Sequence, residues 1–176
     1  MINRAMWKGY KKLGSSSVAG KLGGIYQFCS DLKVDAKGES ISTDLINAAL
    51  ELIANAGGKA DTLICNRSKI AAISKLYEGQ ITIAADSDVR GVYVSKIVNP
   101  YDGTILQVIV DDMCPTGDVW ILDSTKIEVA PFTNGALTDF DSTEPGFDGA
   151  KRTVLTELTV KWHNASESFA SIRGLK

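Results

Sequence analysis

The sequence predicts an α+β fold, and three observations carry that expectation. Two amphipathic helix patterns, STDLINAALELIANAGG and RSKIAAISKLY, sit in the first half. From residue 80 the periodicity shifts to alternation, in QITIA, VYVSKIV and TILQVIV, as strands require. The strongest alternation, TVLTELTVKWH, comes close to the end. With 176 residues, 44% of them hydrophobic, the chain is long enough to bury a core without staples.

The elements follow in order. MINRAMWKGYKKLG reads as a short basic helix, with Met6, Tyr10 and Leu13 at helical spacing and Gly14 as its stop, and it looks like the tail of something longer. SSSVAGKLGG reads as a flexible loop, and IYQFCSDLKV is expected to be a strand or extended stretch ending before the turn DAKGES. In the first strong helix Ser42 or Thr43 caps the exposed amides and Asp44 complements the dipole. Its apolar face is Leu45, Ile46, Ala49, Leu50 and Ile53, and Gly57 and Gly58 end it. DTLIC follows as a short buried strand. Asn66 then caps the second helix, which Ile70, Ile73, Leu76 and Tyr77 line on one side and Gly79 closes.

In the second half, the Tyr101-Asp102-Gly103 turn is expected to join VYVSKIV and TILQVIV as a hairpin. VWILD and KIEVAPF are expected to form another close pair. TNGALTDFDSTEPGFDGAK, polar and rich in glycine and acid, reads as a surface loop or domain crossing. In TVLTELTVKWH, the positions Val154, Thr156, Leu158, Val160 and Trp162 share one face, while Glu157, Thr159, Lys161 and His163 share the other, the mark of a half-exposed strand. NASES turns the chain into a last strand, FASIRGL.

Composition narrows the function classes. Nineteen basic against 21 acidic residues leave a net charge of −2, so no broad field points to nucleic acid or an anionic membrane. Three cysteines without paired spacing argue for reduced thiols rather than a disulfide framework. No apolar run reaches the ~18 residues of a membrane span. The N-terminus lacks the apolar core of a signal peptide. The reading is a chain that is intracellular at synthesis, which makes its two glycosylation sequons chance matches.

The chemical candidates are few. VDDMCPTGDVW places Cys114 among Asp111, Asp112 and Asp118, but acidic neighbours raise a thiol pKa and so oppose a nucleophile. The lone histidine, His163, is expected on the exposed face of a distant strand. Pro115 and Gly117 make the stretch a turn between strands. Asp111, Asp112, Asp118 and Asp123 lack calcium-loop spacing. The set Asp139, Asp141, Glu144 and Asp148 has Glu144 where a turn glycine belongs and Ala150 where the bidentate acid belongs. GSSSVAGKLGG fails as a phosphate loop, since five residues separate Gly14 from Gly20 and Leu22 follows Lys21. Trp7, Lys8, Tyr10, Lys11 and Lys12 fall within one or two helix turns, so the aromatics do not interleave with a basic stripe as a single-strand platform requires, and a helix packed on a partner chain explains them as well. The residues thus offer no acid-base pair, ligand set or nucleotide loop. A binding or structural protein is expected; a small intracellular α+β domain that uses its acidic loop, residues 133 to 150, to bind a ligand or partner is one form of it.

Three segments in order carry a resemblance: STDLINAALELIANAGGKADTLICNRSKIAAISKL, VIVDDMCPTGDVWILDSTKIEVAPF and LTELTVKWHNASESFASIRGL. The matching positions are Gly57, Gly58, Asp61, Leu63, Ile64 and Asn66 in the first, Met113, Pro115 and Gly117 in the second, and Glu157, Asn164, Ala165, Gly174 and Leu175 in the third. From about residue 20 onward the chain resembles the major capsid (head) proteins of tailed bacteriophages, which have the Hong Kong 97-type fold.

The resemblance implies that residues 1–33 are the end of a spine helix and a peripheral-domain segment, 34–149 an axial domain, and 150–176 return strands of the peripheral domain. In the family an N-terminal arm, an extended loop and most of the spine helix precede the part matched here, so the chain is expected to be a truncated core. The implied role is a structural subunit that self-associates through pentamers and hexamers into a head shell enclosing DNA without reading its sequence, with scaffold, portal or decoration proteins as further partners. No enzyme activity, catalytic residue, cofactor or metal, and no membrane association, is implied. The implied location is the virion, after synthesis in the bacterial host cytoplasm.

Overall fold

A computed structural model describes residues 6–9, 11–12, 23–78, 93–131, 138–146, 148–155 and 158–176. Tyr10, Leu13, the loop glycine Gly14, Gly79, the QITIA segment, and Thr156 and Glu157 lie outside them. Residues 6–8 are helical. In chain order there follow α1 (Ile25–Phe28), β1 (Leu32–Asp35), α2 (Thr43–Asn55), β2 (Thr62–Cys65), α3 (Arg67–Leu76), β3 (Lys96–Val98), β4 (Ile105–Val110), β5 (Val119–Leu122), β6 (Ile127–Pro131), β7 (Thr138–Asp141), β8 (Arg152–Leu155), β9 (Leu158–Trp162), α4 (Ala165–Ser168) and β10 (Phe169–Arg173). They fall into two compact units, Met1–Lys126 with Asn164–Lys176, and Ile127–His163.

The first unit is built on a six-stranded mixed sheet in the order β1-β10-β5-β2-β4-β3. Helix α2 starts where the sequence expects: Ser42 Oγ accepts from the Leu45 amide at 3.3 Å, satisfying one orphan donor of the first turn. Its face Ile46, Ala49, Leu50 and Ile53 is buried. The helix ends at Gly57, whose φ of +82° only glycine adopts without strain, and a Cβ on Gly58 would overlap the Glu167 carbonyl. Asn66 caps α3 by accepting from the Ser68 amide at 3.1 Å. β3 and β4 form the expected hairpin, with Val98 opposite Ile105.

Alternation divides the sheet residues between two faces. Toward α2 and α3 point Leu63 and Cys65 of β2, Leu106 and Val108 of β4, Val119 and Ile121 of β5, and Ala170 and Ile172 of β10, all in one apolar cluster with the helix residues. The opposite face carries Trp120 and Leu122, Phe169, Ser171 and Arg173, then Ile64, and at the far side Ile105, Ile109 and Val98.

Three sequence expectations change here. IYQFCSDLKV is not extended throughout: Ile25–Phe28 make one helical turn, closed by the Cys29 amide donating to the Ile25 carbonyl at 2.8 Å. Four residues are too few for a period to separate helix from strand; the turn buries Ile25. VWILD does not pair with KIEVAPF. All four residues of β5 are buried, so β5 takes an interior place between β10 and β2. The 3₁₀ turn Ser124–Lys126, held by the Thr125 amide on Asp123 Oδ1 at 3.0 Å, separates it from β6. β6 pairs instead with β9.

The third change is in the second unit, which contains two antiparallel ribbons, β6-β9 and β7-β8. The segment expected as a surface loop contributes β7, with Asp139 opposite Val154 and Asp141 opposite Arg152. TVLTELTVKWH is two strands with different partners. In β6-β9 the pairs Ile127–Trp162, Val129–Val160 and Pro131–Leu158 share one apolar face, and Glu128–Lys161 lies on the other.

Candidate functional site: a ring latch on the central sheet

A cluster of aromatic and polar-tipped side chains lies on the sheet face away from α2 and α3, in the first unit. β5 and β10 place Trp120 and Arg173 on that face. Residues 6–9 and 23–28 lie over them, tied together by the Gly24 amide on the Gly9 carbonyl at 2.8 Å and by the Lys11 amide on Gln27 Oε1 at 2.6 Å. The Trp7 ring lies 6.0 Å from Trp120 with a 55° tilt, and Tyr26 meets Trp120 edge-on at 5.3 Å. The Arg173 guanidinium stands 4.7 Å from the Tyr26 ring and 5.3 Å from Trp120. Aromatic pairs and a sheltered cation on a ring each add to simple burial. Trp7 thus packs on Trp120 of its own chain.

The VDDMCPTGDVW turn anchors the latch, and each of its aspartates has a structural task. Asp111 Oδ2 accepts from Trp7 Nε1 at 2.7 Å, and its Oδ1 accepts from the Met113 amide at 2.8 Å. Asp112 pairs with Arg67 at 2.8 Å on the surface. Asp118 is buried; loss of water pushes its carboxyl up, against the opposing pull of Arg173, the Gly174 amide and Lys8. Asn66 donates to the carbonyls of Asp112 and Cys114 at 3.2 and 2.8 Å. One asparagine thus caps α3 and fixes the turn. Asp61 works similarly at the other end of β2: burial alone would raise its carboxyl, but bonds from the Ser124 hydroxyl and amide and the Thr62 hydroxyl outweigh that and hold it below the usual range.

Burial holds the three thiols of this unit protonated near neutral pH. Burial, with Asp111 and Cys65 nearby, pushes the Cys114 thiol up to about 12. Cys29 is pushed up to about 12 by burial and Asp31, and Cys65 to about 11 by burial. A thiol so raised is not a thiolate nucleophile near neutral pH. His163 lies in the second unit, 3.3 Å from Glu128, and the Cys114 turn belongs to the first. Of the acids considered for calcium, Asp139 pairs with Arg152 at 3.1 Å, and Asp141 accepts from the Thr143 amide at 2.9 Å. Among the described residues no group of three His, Cys, Asp or Glu side chains is placed to hold a metal, and no helix is long and apolar enough to cross a membrane.

The first unit is a mixed sheet with α2 and α3 on one face and a latch of the chain's own rings on the other. The family model described as SU10 major capsid protein matches residues 1–176, and the chain belongs to that family. Its fold is of the Hong Kong 97 type. No curated protein matches the chain.

Solved structures agree on the fold. The chain is similar to the cyanophage A-1(L) capsid asymmetric unit, with a TM-score of 0.63 and 15% identity over 82% of this chain and 51% of that one. It is similar to a Mycobacterium phage Adephagia chain, with a TM-score of 0.56 and 11% identity over 99% and 60%. The third is the holo-SrpI encapsulin complex from Synechococcus elongatus PCC 7942, with a TM-score of 0.55 and 13% identity over 88% and 57%. The chain thus spans between about half and three fifths of the lengths of these relatives.

Proposed function

We propose that many copies of this chain, within the product of the complete reading frame that contains it, close into the shell of a phage head. The observation that carries this reading is the capsid family match over residues 1–176. The shell would assemble through pentamers and hexamers and enclose DNA without reading its sequence. A net charge of −2 suits a wall that closes around nucleic acid without gripping it. The work is geometric: repeated modest contacts add up in a closed assembly. The subunit has no catalytic step, and its place is the virion after synthesis in the host cytoplasm. Scaffold, portal or decoration proteins would be its other partners. The assignment of 34–149 as axial, with 1–33 and 150–176 as peripheral, belongs to the same proposal.

Sedimentation velocity and electron microscopy of the full reading-frame product test this. The expected result is rings of five or six subunits or closed shells whose fraction grows with concentration. A fixed monomer or dimer across concentration and salt contradicts it.

A further inference from the structure

Arg173 stands between two carboxylates and pairs with neither. Its opposite on β1 is Asp35, whose Oδ1 accepts instead from the Lys37 amide at 2.9 Å. On the other side the β10-β5 register ends with Ile172 opposite Val119, and the next step sets Arg173 against Asp118, which is 8% exposed. Among the described residues the guanidinium makes no ion pair. It lies on the Tyr26 and Trp120 rings, its Nε donates to Ser171 Oγ at 3.0 Å, and its Nη2 is out of water without a hydrogen-bond partner. An unpaired buried donor near an unpaired buried carboxylate is a costly arrangement. The rings hold the two apart, and Trp7 closes over Trp120 from residues 6–9.

We propose that residues 6–9 are a strap that lifts while the sheet stays folded, and that Arg173 then exchanges the rings for the Asp118 carboxylate. Opposite positions on neighbouring strands have Cβ atoms about 4.5–5.5 Å apart, well within an arginine's reach. The strap is lightly held: by the Trp7 ring, by Trp7 Nε1 on Asp111 at 2.7 Å and by the Gly24 amide on the Gly9 carbonyl at 2.8 Å. Lifting it loses these contacts, lets water reach Asp118 and gives Nη2 an acceptor. Two cations face Asp118, Arg173 from β10 and Lys8 from the strap itself, but loss of water outweighs their pull and that of the Gly174 amide. The ionised carboxylate therefore favours the lifted strap.

The test follows amide hydrogen exchange by mass spectrometry in the full reading-frame product before assembly. The Gly24 amide reports the strap, and the amides of β5 report the sheet. The expected result is that the strap opens at least about tenfold more often than β5. Asp118→Asn should make strap opening at least about threefold rarer, the reverse of what losing a merely supporting side chain does, and this slowing should shrink in an Arg173→Met background. In wild type, corrected for the intrinsic exchange rate, strap opening should grow relative to that of β5 as pH rises from about 4. Strap and β5 opening at one rate, or strap opening that Asp118→Asn leaves unchanged or speeds, overturns the inference. Equal slowing with and without Arg173 overturns the exchange of partners. If Asp118→Asn does not fold, the wild-type pH series decides, and a flat series overturns the inference.

Discussion

The two halves of one sheet face differ sharply in cover. Over β5 and β10 lie Trp7 and Tyr26 of the same chain, and Trp120 is fully buried. Over β4 and β3, Ile105 and Val98 are more than half exposed. The strands are similarly apolar and hydrogen-bonded into one sheet, so strand propensity does not separate them. What separates them is where the chain's own rings land. Burial on this face therefore follows the reach of residues 6–9 and 23–28, not the apolar content of the strands.

Trp120→Ala should give the largest effect. It removes the ring that Trp7, Tyr26 and Arg173 all meet, at a cost of about 3–5 kcal/mol in a denaturant titration. Arg173→Met keeps much of the side-chain volume but loses the cation on two rings and the bond to Ser171 Oγ. A loss of about 1–2 kcal/mol is expected. Asp118→Asn probes the latch through pH. The raised Asp118 pKa means the folded state holds its proton more tightly than the unfolded one. Wild-type stability should therefore decline as pH rises from about 3.9, the ordinary aspartate value, through the raised one, and stay penalised above it. Melting curves for the two proteins should diverge across that window, with wild type losing ground; parallel curves would contradict the burial argument. On the bare half, Ile105→Thr should change the stability of the unassembled chain by no more than about 0.5 kcal/mol. A loss comparable to that of Trp120→Ala would show that this half is already covered within the chain.

The sequence disclosed local structure well and pairing poorly. α2 and α3 were legible because their caps, Ser42 and Asn66, and their apolar spacing act within a few residues. The β3-β4 hairpin was legible for the same reason. The partners of β5 and β6 were not, because alternation says that a segment is a strand and leaves its neighbour open. β7 escaped because TDFD has no apolar run, and α1 because IYQF fits either period. The latch joins Trp7, Tyr26, Trp120 and Arg173 from opposite ends of the chain. The available signal was parity: in FASIRGL, Arg173 shares a face with Phe169, so an arginine that follows an apolar pattern needs shelter. The reading of VDDMCPTGDVW rested on local charge, whereas burial, which a turn's sequence does not disclose, is the larger cause of the raised Cys114 thiol, with Asp111 second.

An electron cryo-microscopy reconstruction of the assembled particle at side-chain resolution tests the central claim most directly. The account predicts a closed shell in which Trp7 packs on Trp120 of its own copy. A product that never closes into a shell, or a shell in which Trp7 reaches the Trp120 of another copy, would contradict it.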